Sequence, residues 1–190
     1  MKKKTFYQVL IITFIFNLCF SSNPWAFDAK YFYGDGFSIC YPSNWTLASP
    51  GQIESISKTF GFLRGNIRFM AASEIANVVV SLQPLPAEEM NIENLTDEEF
   101  ECVLRKGYSR FQDMGLFDIR SIKIVRLNGL RYGEIVLDTY MFNIPIRQKQ
   151  LLILKDGYGY AIAATARRNE FNYMNRQYFE PIFQSFTINR

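Results

Sequence analysis

The chain has 190 residues, 48% hydrophobic and 16% aromatic, enough for one domain with a substantial core, and this excludes disorder, collagen and small disulfide scaffolds. It contains no histidine and three cysteines, so the usual general bases and metal ligands are missing. The formal net charge is +3, but removing Lys2, Lys3 and Lys4 with a leader leaves 18 basic against 18 acidic residues, a balance that offers no pull on nucleic acid.

The first 26 residues read as a secretory signal. Three lysines precede an apolar stretch from Phe6 to Phe20 and the sequence Ser21-Ser22-Asn23-Pro24-Trp25-Ala26. As a helix the apolar stretch spans roughly 22 Å, short of the ~30 Å hydrocarbon core, so no stable membrane span is expected once it is removed. Cleavage after Ala26 or after Ala29 fits equally. Residues 27–190 then form a single exported domain, periplasmic or secreted. Cys19 lies inside the signal and follows Asn17-Leu18, not the small residues of a lipoprotein site.

The segment from Gly34 to Pro42 predicts a turn and then the first strand, with Phe37, Ile39 and Tyr41 on one side. Two short strands follow at 66–73 and 76–83. Val79 makes the second face of the latter apolar, which calls for a covering helix. Gln83 to Glu93, with Pro84 and Pro86, is expected as a loop. Thr96 and Glu99 form a capping box for a helix to Phe111, whose stripe is Phe100, Val103, Leu104, Gly107, Tyr108 and Phe111. The acids Asp97, Glu98, Glu99 and Glu101 suit the positive end of that helix dipole better than a calcium site.

From Asp118 to Ala166 the pattern is a four-stranded antiparallel meander, with turns at Asn128-Gly129, at Asp156-Gly157 and between Asn143 and Pro145. Centring the last turn between Asn143 and Ile144 sets Asp138 opposite Lys149 and Tyr140 opposite Arg147. Glu134 and Asp138 share a strand face, and a two-carboxylate hydrolase would use such a pair; alternating charge on a strand rim explains them as well. A final helix starts near Glu170, with Phe171, Met174, Tyr178 and Ile182 in a stripe beside Phe179 and Phe183. It should kink or restart at Pro181 before a closing strand at 185–188.

Cys40, on a strand, and Cys102, on a helix, leave one disulfide open in an oxidising compartment. Against it, Cys102 lies on the charged side of its helix. With no histidine, only a lysine or a helix terminus could activate a thiol, and the four carboxylates around the helix start near Cys102 oppose that. Tyr41, Pro42 and Trp45 read either as a carbohydrate platform or as packing. Arg167-Arg168 reads either as an anion contact or as a solvated loop. Walker, G-x-G-x-x-G and G-x-S-x-G motifs are absent. No catalytic residue, cofactor or metal is assigned.

The run Gly36-Phe37-Ser38-Ile39-Cys40-Tyr41-Pro42-Ser43-Asn44-Trp45 resembles the opening of PsbP-like domains, a strand of the form G-F-x-I-x-Y-P leading to a tryptophan. The ending is similar too: Gly157 to Ala164, a helix, then Phe183-Gln184-Ser185-Phe186. The resemblance covers about 33–188. It implies an α+β fold, an α/β/α sandwich with a mainly antiparallel sheet flanked by helices. Relatives include PsbP, the periplasmic DcrB-like proteins and a small nuclear protein that binds the GTPase Ran. The role implied is non-catalytic protein binding, with the DcrB-like envelope branch the nearer analogy because the chain passes almost directly from its signal to the first strand. The partner expected is an unidentified envelope protein. A carrier of a small apolar ligand and a carboxylate-based hydrolase are the alternatives.

Overall fold

The computed structural model describes residues 27–59, 66–85 and 94–189. The signal read at 1–26 lies outside these residues, as does most of the loop expected after Gln83. In chain order the elements are β1 (Ala29–Gly34), β2 (Phe37–Pro42), β3 (Thr46–Leu47), α1 (Pro50–Thr59), β4 (Asn66–Ala72), β5 (Ala76–Pro84) and α2 (Asp97–Asp113). The meander follows as β6 (Asp118–Leu127), β7 (Leu130–Met141), β8 (Ile144–Lys155) and β9 (Tyr158–Arg167). Last come α3 (Phe171–Met174), a π turn (Asn175–Phe179), α4 (Glu180–Ser185) and β10 (Thr187–Ile188).

The fold is an α+β sandwich in which every strand pair is antiparallel. Seven strands form the main sheet in the order β3-β4-β5-β9-β8-β7-β6, and β1-β2-β10 form a second, smaller one. Side chains alternate across the main sheet and so build two cores. On one face α2 packs Phe100 and Leu104 onto Ile122, Ile135 and Leu137. On the other, the small sheet and the C-terminal helix close over Val78, Val80, Leu151, Ile153 and Ile162. The strand Phe37–Pro42 is thus the second strand, not the first, and belongs to the covering layer.

Helix α2 forms as its sequence dictates. The Thr96 side chain accepts from the Glu99 backbone at 3.2 Å while Glu99 accepts from the Thr96 backbone at 2.8 Å, a closed capping box. Its buried stripe is narrower than expected: Phe100, Leu104 and Tyr108 face the sheet, whereas Val103, Gly107 and Phe111 are exposed. Gly133 on β7 lies directly under Leu104, and a Cβ there would overlap Leu104 Cδ1. Gly133→Ala should therefore cost about 1–3 kcal/mol by overpacking. Urea denaturation would measure this, and combining it with Leu104→Val should recover part of the loss.

Helix α1 was not anticipated, although its start is written in Ser49-Pro50-Gly51-Gln52. Ser49 N–H donates to Gln52 Oε1 at 2.8 Å, the Gln52 N–H returns to Ser49 Oγ at 3.4 Å, and Pro50 occupies the first turn, where its missing donor is harmless. At the other end the helix restarts at Pro181 as expected, the proline standing in the first turn of α4. Its ring would collide with the carbonyl four residues back, and the chain widens one turn instead: Glu180 N–H donates to Asn175 O, five residues earlier. The closing strand is confined to Thr187–Ile188, because Ser185 ends α4.

Candidate functional site

The three meander turns share one geometry. Asn128 and Gly129, Phe142 and Asn143, and Asp156 and Gly157 all have positive φ, the two-residue turn that matches the twist of a hairpin. The middle turn is therefore centred between Phe142 and Asn143, one residue earlier than the sequence reading placed it. This corrects the register: Asp138 opposes Arg147, Tyr140 opposes Pro145, and Lys149 opposes Val136. The signal was missed because phenylalanine rarely adopts φ near +49°, the value found at Phe142.

That shift organises the charges on the C-terminal-helix face of the meander. Asp138, only 4% exposed, accepts from Arg147 Nε at 2.6 Å and Arg147 Nη2 at 2.9 Å. Arg168 Nε and Arg120 Nε stand 3.6 and 3.7 Å from its Oδ2. The hydrogen bond from Arg147, reinforced by the charges of all three guanidinium groups, holds the Asp138 carboxyl below the usual aspartate range against the opposing effect of burial. Arg168 of the Arg167-Arg168 pair thus belongs to this cluster and its guanidinium lies 5.6 Å from the exposed Tyr140 ring, whereas Arg167 is exposed.

Glu134 is likewise buried but has its own cations: Lys149 Nζ at 2.9 Å and Lys123 Nζ at 3.1 Å. Lys149 also reaches Glu180 Oε1 on α4 at 3.0 Å. Each carboxylate of the candidate hydrolase pair is therefore held in a separate ion-pair cluster, as acceptor for neighbouring cations. Such an arrangement positions strands and helix. It leaves neither acid poised as a general base. Among the described residues no group of three or more histidine, cysteine or acidic side chains is placed to hold a metal.

The remaining sequence candidates are packing residues. Gly36, at φ +83°, makes the β1–β2 turn. Phe37 stacks on Phe186 at 5.7 Å and Tyr41 sets its edge against Phe69 at 5.6 Å. Pro42 is buried, and Trp45 contacts Tyr178 and Phe179, so Tyr41 and Trp45 form no exposed platform. The space between main sheet and C-terminal helix, where a carried ligand was envisaged, contains the fully buried rings of Phe69, Phe179, Phe183 and Tyr160. Burial raises the Tyr132 hydroxyl to about 12.

Cys40 and Cys102 are both free thiols, so the disulfide left open by the sequence is not formed. The reason is the layering: buried Cys40 lies on β2, where its N–H donates to Ser185 Oγ at 2.9 Å, and exposed Cys102 lies on α2 across the main sheet. Burial pushes the Cys40 thiol up.

What the sequence reading missed is the surface at the β7–β8 tip. Phe142 is 86% exposed and Tyr140 66% exposed, with Met141 and Ile144 also presented to solvent. Beside the tip, Phe142, Met141, Ile144 and Ile146 join Ile75 and Arg167 around an open groove of about 210 Å³. Glu74 lines the same groove. Two exposed tyrosines on β1, Tyr31 and Tyr33, stack at 6.4 Å elsewhere on the molecule. Among the described residues no helix is long and apolar enough to cross a membrane.

No family model and no curated protein matches this sequence. Solved structures share its fold. Cyanobacterial PsbP (CyanoP) from Synechocystis is 12% identical, with a TM-score of 0.54 over 84% of this chain and 92% of that one. A Bacteroides thetaiotaomicron protein is 12% identical, TM-score 0.53, over 85% of this chain and 48% of that one. LpqN of Mycobacterium tuberculosis, a protein involved in cell envelope biogenesis, is 13% identical, TM-score 0.50, over 85% and 92%. The PsbP-like fold indicated by Gly36 to Trp45 is the fold of this chain.

Proposed function

We propose that this chain is a non-catalytic accessory protein, exported to the bacterial cell envelope, that binds another protein through the β7–β8 hairpin tip. The observation that carries this reading is Phe142. A non-glycine residue in left-handed backbone costs about 1–2 kcal/mol, and exposing the ring forgoes roughly 1.5–3 kcal/mol of burial. A fold that maintains both at one position, within a cluster of exposed apolar side chains, has a use for the ring outside its own core. Export is supported by the lysine-led apolar segment at 2–20, and the envelope role by analogy with LpqN, whose fold it shares.

In-cell photocrosslinking from position 141 of the full-length protein tests the reading. One dominant envelope protein should be captured, and the purified chain should lack its first 26 or 29 residues by intact mass. Phe142→Gly should keep or raise folding stability, by about 1 kcal/mol through relief of the left-handed strain, while crosslinking falls sharply. Capture that survives Phe142→Gly unchanged would overturn the tip as the docking element.

A further inference from the structure

We infer that the arginine cluster beside the tip receives carboxylates, so that the docked partner segment is acidic, with glutamate or aspartate next to apolar residues. This deepens the docking reading above and rests on it. Asp138 has two oxygens, and both are engaged by Arg147. Arg120 and Arg168 are held near the same carboxylate by charge, yet their Nε atoms lie beyond hydrogen-bond length, at 3.7 and 3.6 Å. Arg168 Nε is shut off from water and makes no hydrogen bond, a costly state for a charged donor.

The surplus is positive. Three guanidinium groups surround one buried carboxylate, and the exposed Asp118, opposite Asp138 on β6, offsets only one more. Both loosely paired arginines remain reachable, with side chains 58% and 36% exposed. Arg168 is also braced against Tyr140, which fixes its guanidinium plane and places an apolar ring at its side. A planar, pre-oriented fork with unused donors is suited to a carboxylate approached edge-on. Arg168 Nε faces Asp138 and stays out of reach, so an incoming acid would meet the solvent-exposed parts of the Arg120 and Arg168 side chains, and its apolar neighbours would meet Tyr140 and Phe142. The commitment is therefore to an acidic protein segment, on charge complementarity.

Fluorescence anisotropy on the full-length protein provides the test, with a labelled peptide of alternating Glu and Leu, its Gln counterpart, and tripolyphosphate as competitor. The Glu peptide should bind and the Gln peptide should bind at least about tenfold more weakly. Arg120→Ala with Arg168→Ala should weaken the Glu peptide by about tenfold or more with little change in melting, because Arg147 keeps both hydrogen bonds to Asp138. Arg120→Glu alone, at an exposed position, should weaken it as well. Equal binding of both peptides, or no loss in the arginine variants, overturns the inference. If no acidic peptide binds while the tip still crosslinks one envelope protein, the acidic class fails and the docking reading stands. If neither occurs, both fall. Tripolyphosphate binding more tightly than the peptide at the same arginines would overturn the carboxylate in favour of a phosphate ligand.

Discussion

Replacing Lys149 by alanine should lower folding stability by about 3 kcal/mol, the low end of what breaking a buried ion pair costs. Lys149 is 7% exposed and its ammonium bridges Glu134 on β7 and Glu180 on α4. Without it Glu134 stays buried and keeps only Lys123, whose side chain reaches in from solvent. Glu180 is half-exposed and can hydrate, so most of the penalty falls on Glu134. The double variant Glu134→Leu with Lys149→Met should regain much of the loss, since it removes both charges and keeps the volume.

The same cluster sets a pH signature. Burial alone would lower the Lys149 pKa, but the hydrogen bonds and charges of Glu134 and Glu180 together raise it above the ordinary lysine value. A group with a raised folded pKa contributes stability fully below its unfolded value, near ~10.4, and the contribution disappears as pH rises through the folded value. For Glu180 burial pushes upward, yet Lys149 and Asn175 bring it below the ordinary range. Its contribution is present above roughly pH 4.5 and fades as pH falls through the folded value. Urea denaturation of wild type and Lys149→Ala at several pH values should therefore show a stability gap that is widest near neutrality and narrows at both ends. A gap independent of pH would mean that packing of the lysine stem, not its charge, holds β8 to α4.

How far the sequence could be read follows from where local signals outweigh tertiary ones. Helix α2 and the hairpins at Asn128-Gly129 and Asp156-Gly157 were legible because capping and left-handed turns are written in residue type. The turn at Phe142-Asn143 was not, because there the meander's twist imposes left-handed backbone on a residue that resists it. A one-residue displacement then moved every charge partner on β8. Strand β1 was invisible for a related reason: Lys30, Tyr31 and Tyr33 point out from a sheet edge, so its alternation is aromatic on both sides. Of the candidate site, Asp138 and Arg168 were singled out separately. Arg168 reaches Asp138 directly, and Arg147, set opposite Asp138 by the corrected register, completes the cluster.

Trp45→Ala should cost about 3–5 kcal/mol, the range for emptying an aromatic site in a core. The tryptophan lies just after β2, where its N–H donates to Pro42 O at 3.0 Å, and just before β3, which joins the main sheet. Its ring contacts Tyr178 and Phe179 at centroid distances of 5.8 and 6.5 Å, both in the π turn. One buried residue therefore ties the connection between the small sheet and the edge of the main sheet, through its backbone, to the widened turn of the C-terminal helix, through its ring. Deleting it leaves a void bounded by three elements that cannot all collapse at once. Tyr33→Ala, at an exposed position on β1, should change stability by no more than about 0.5 kcal/mol. Urea denaturation of the two variants side by side separates packing from display: comparable small losses would mean that the ring of Trp45 is presented to a ligand, whereas a large loss for Trp45 alone identifies the G-F-x-I-x-Y-P strand and its tryptophan as the joint between the layers.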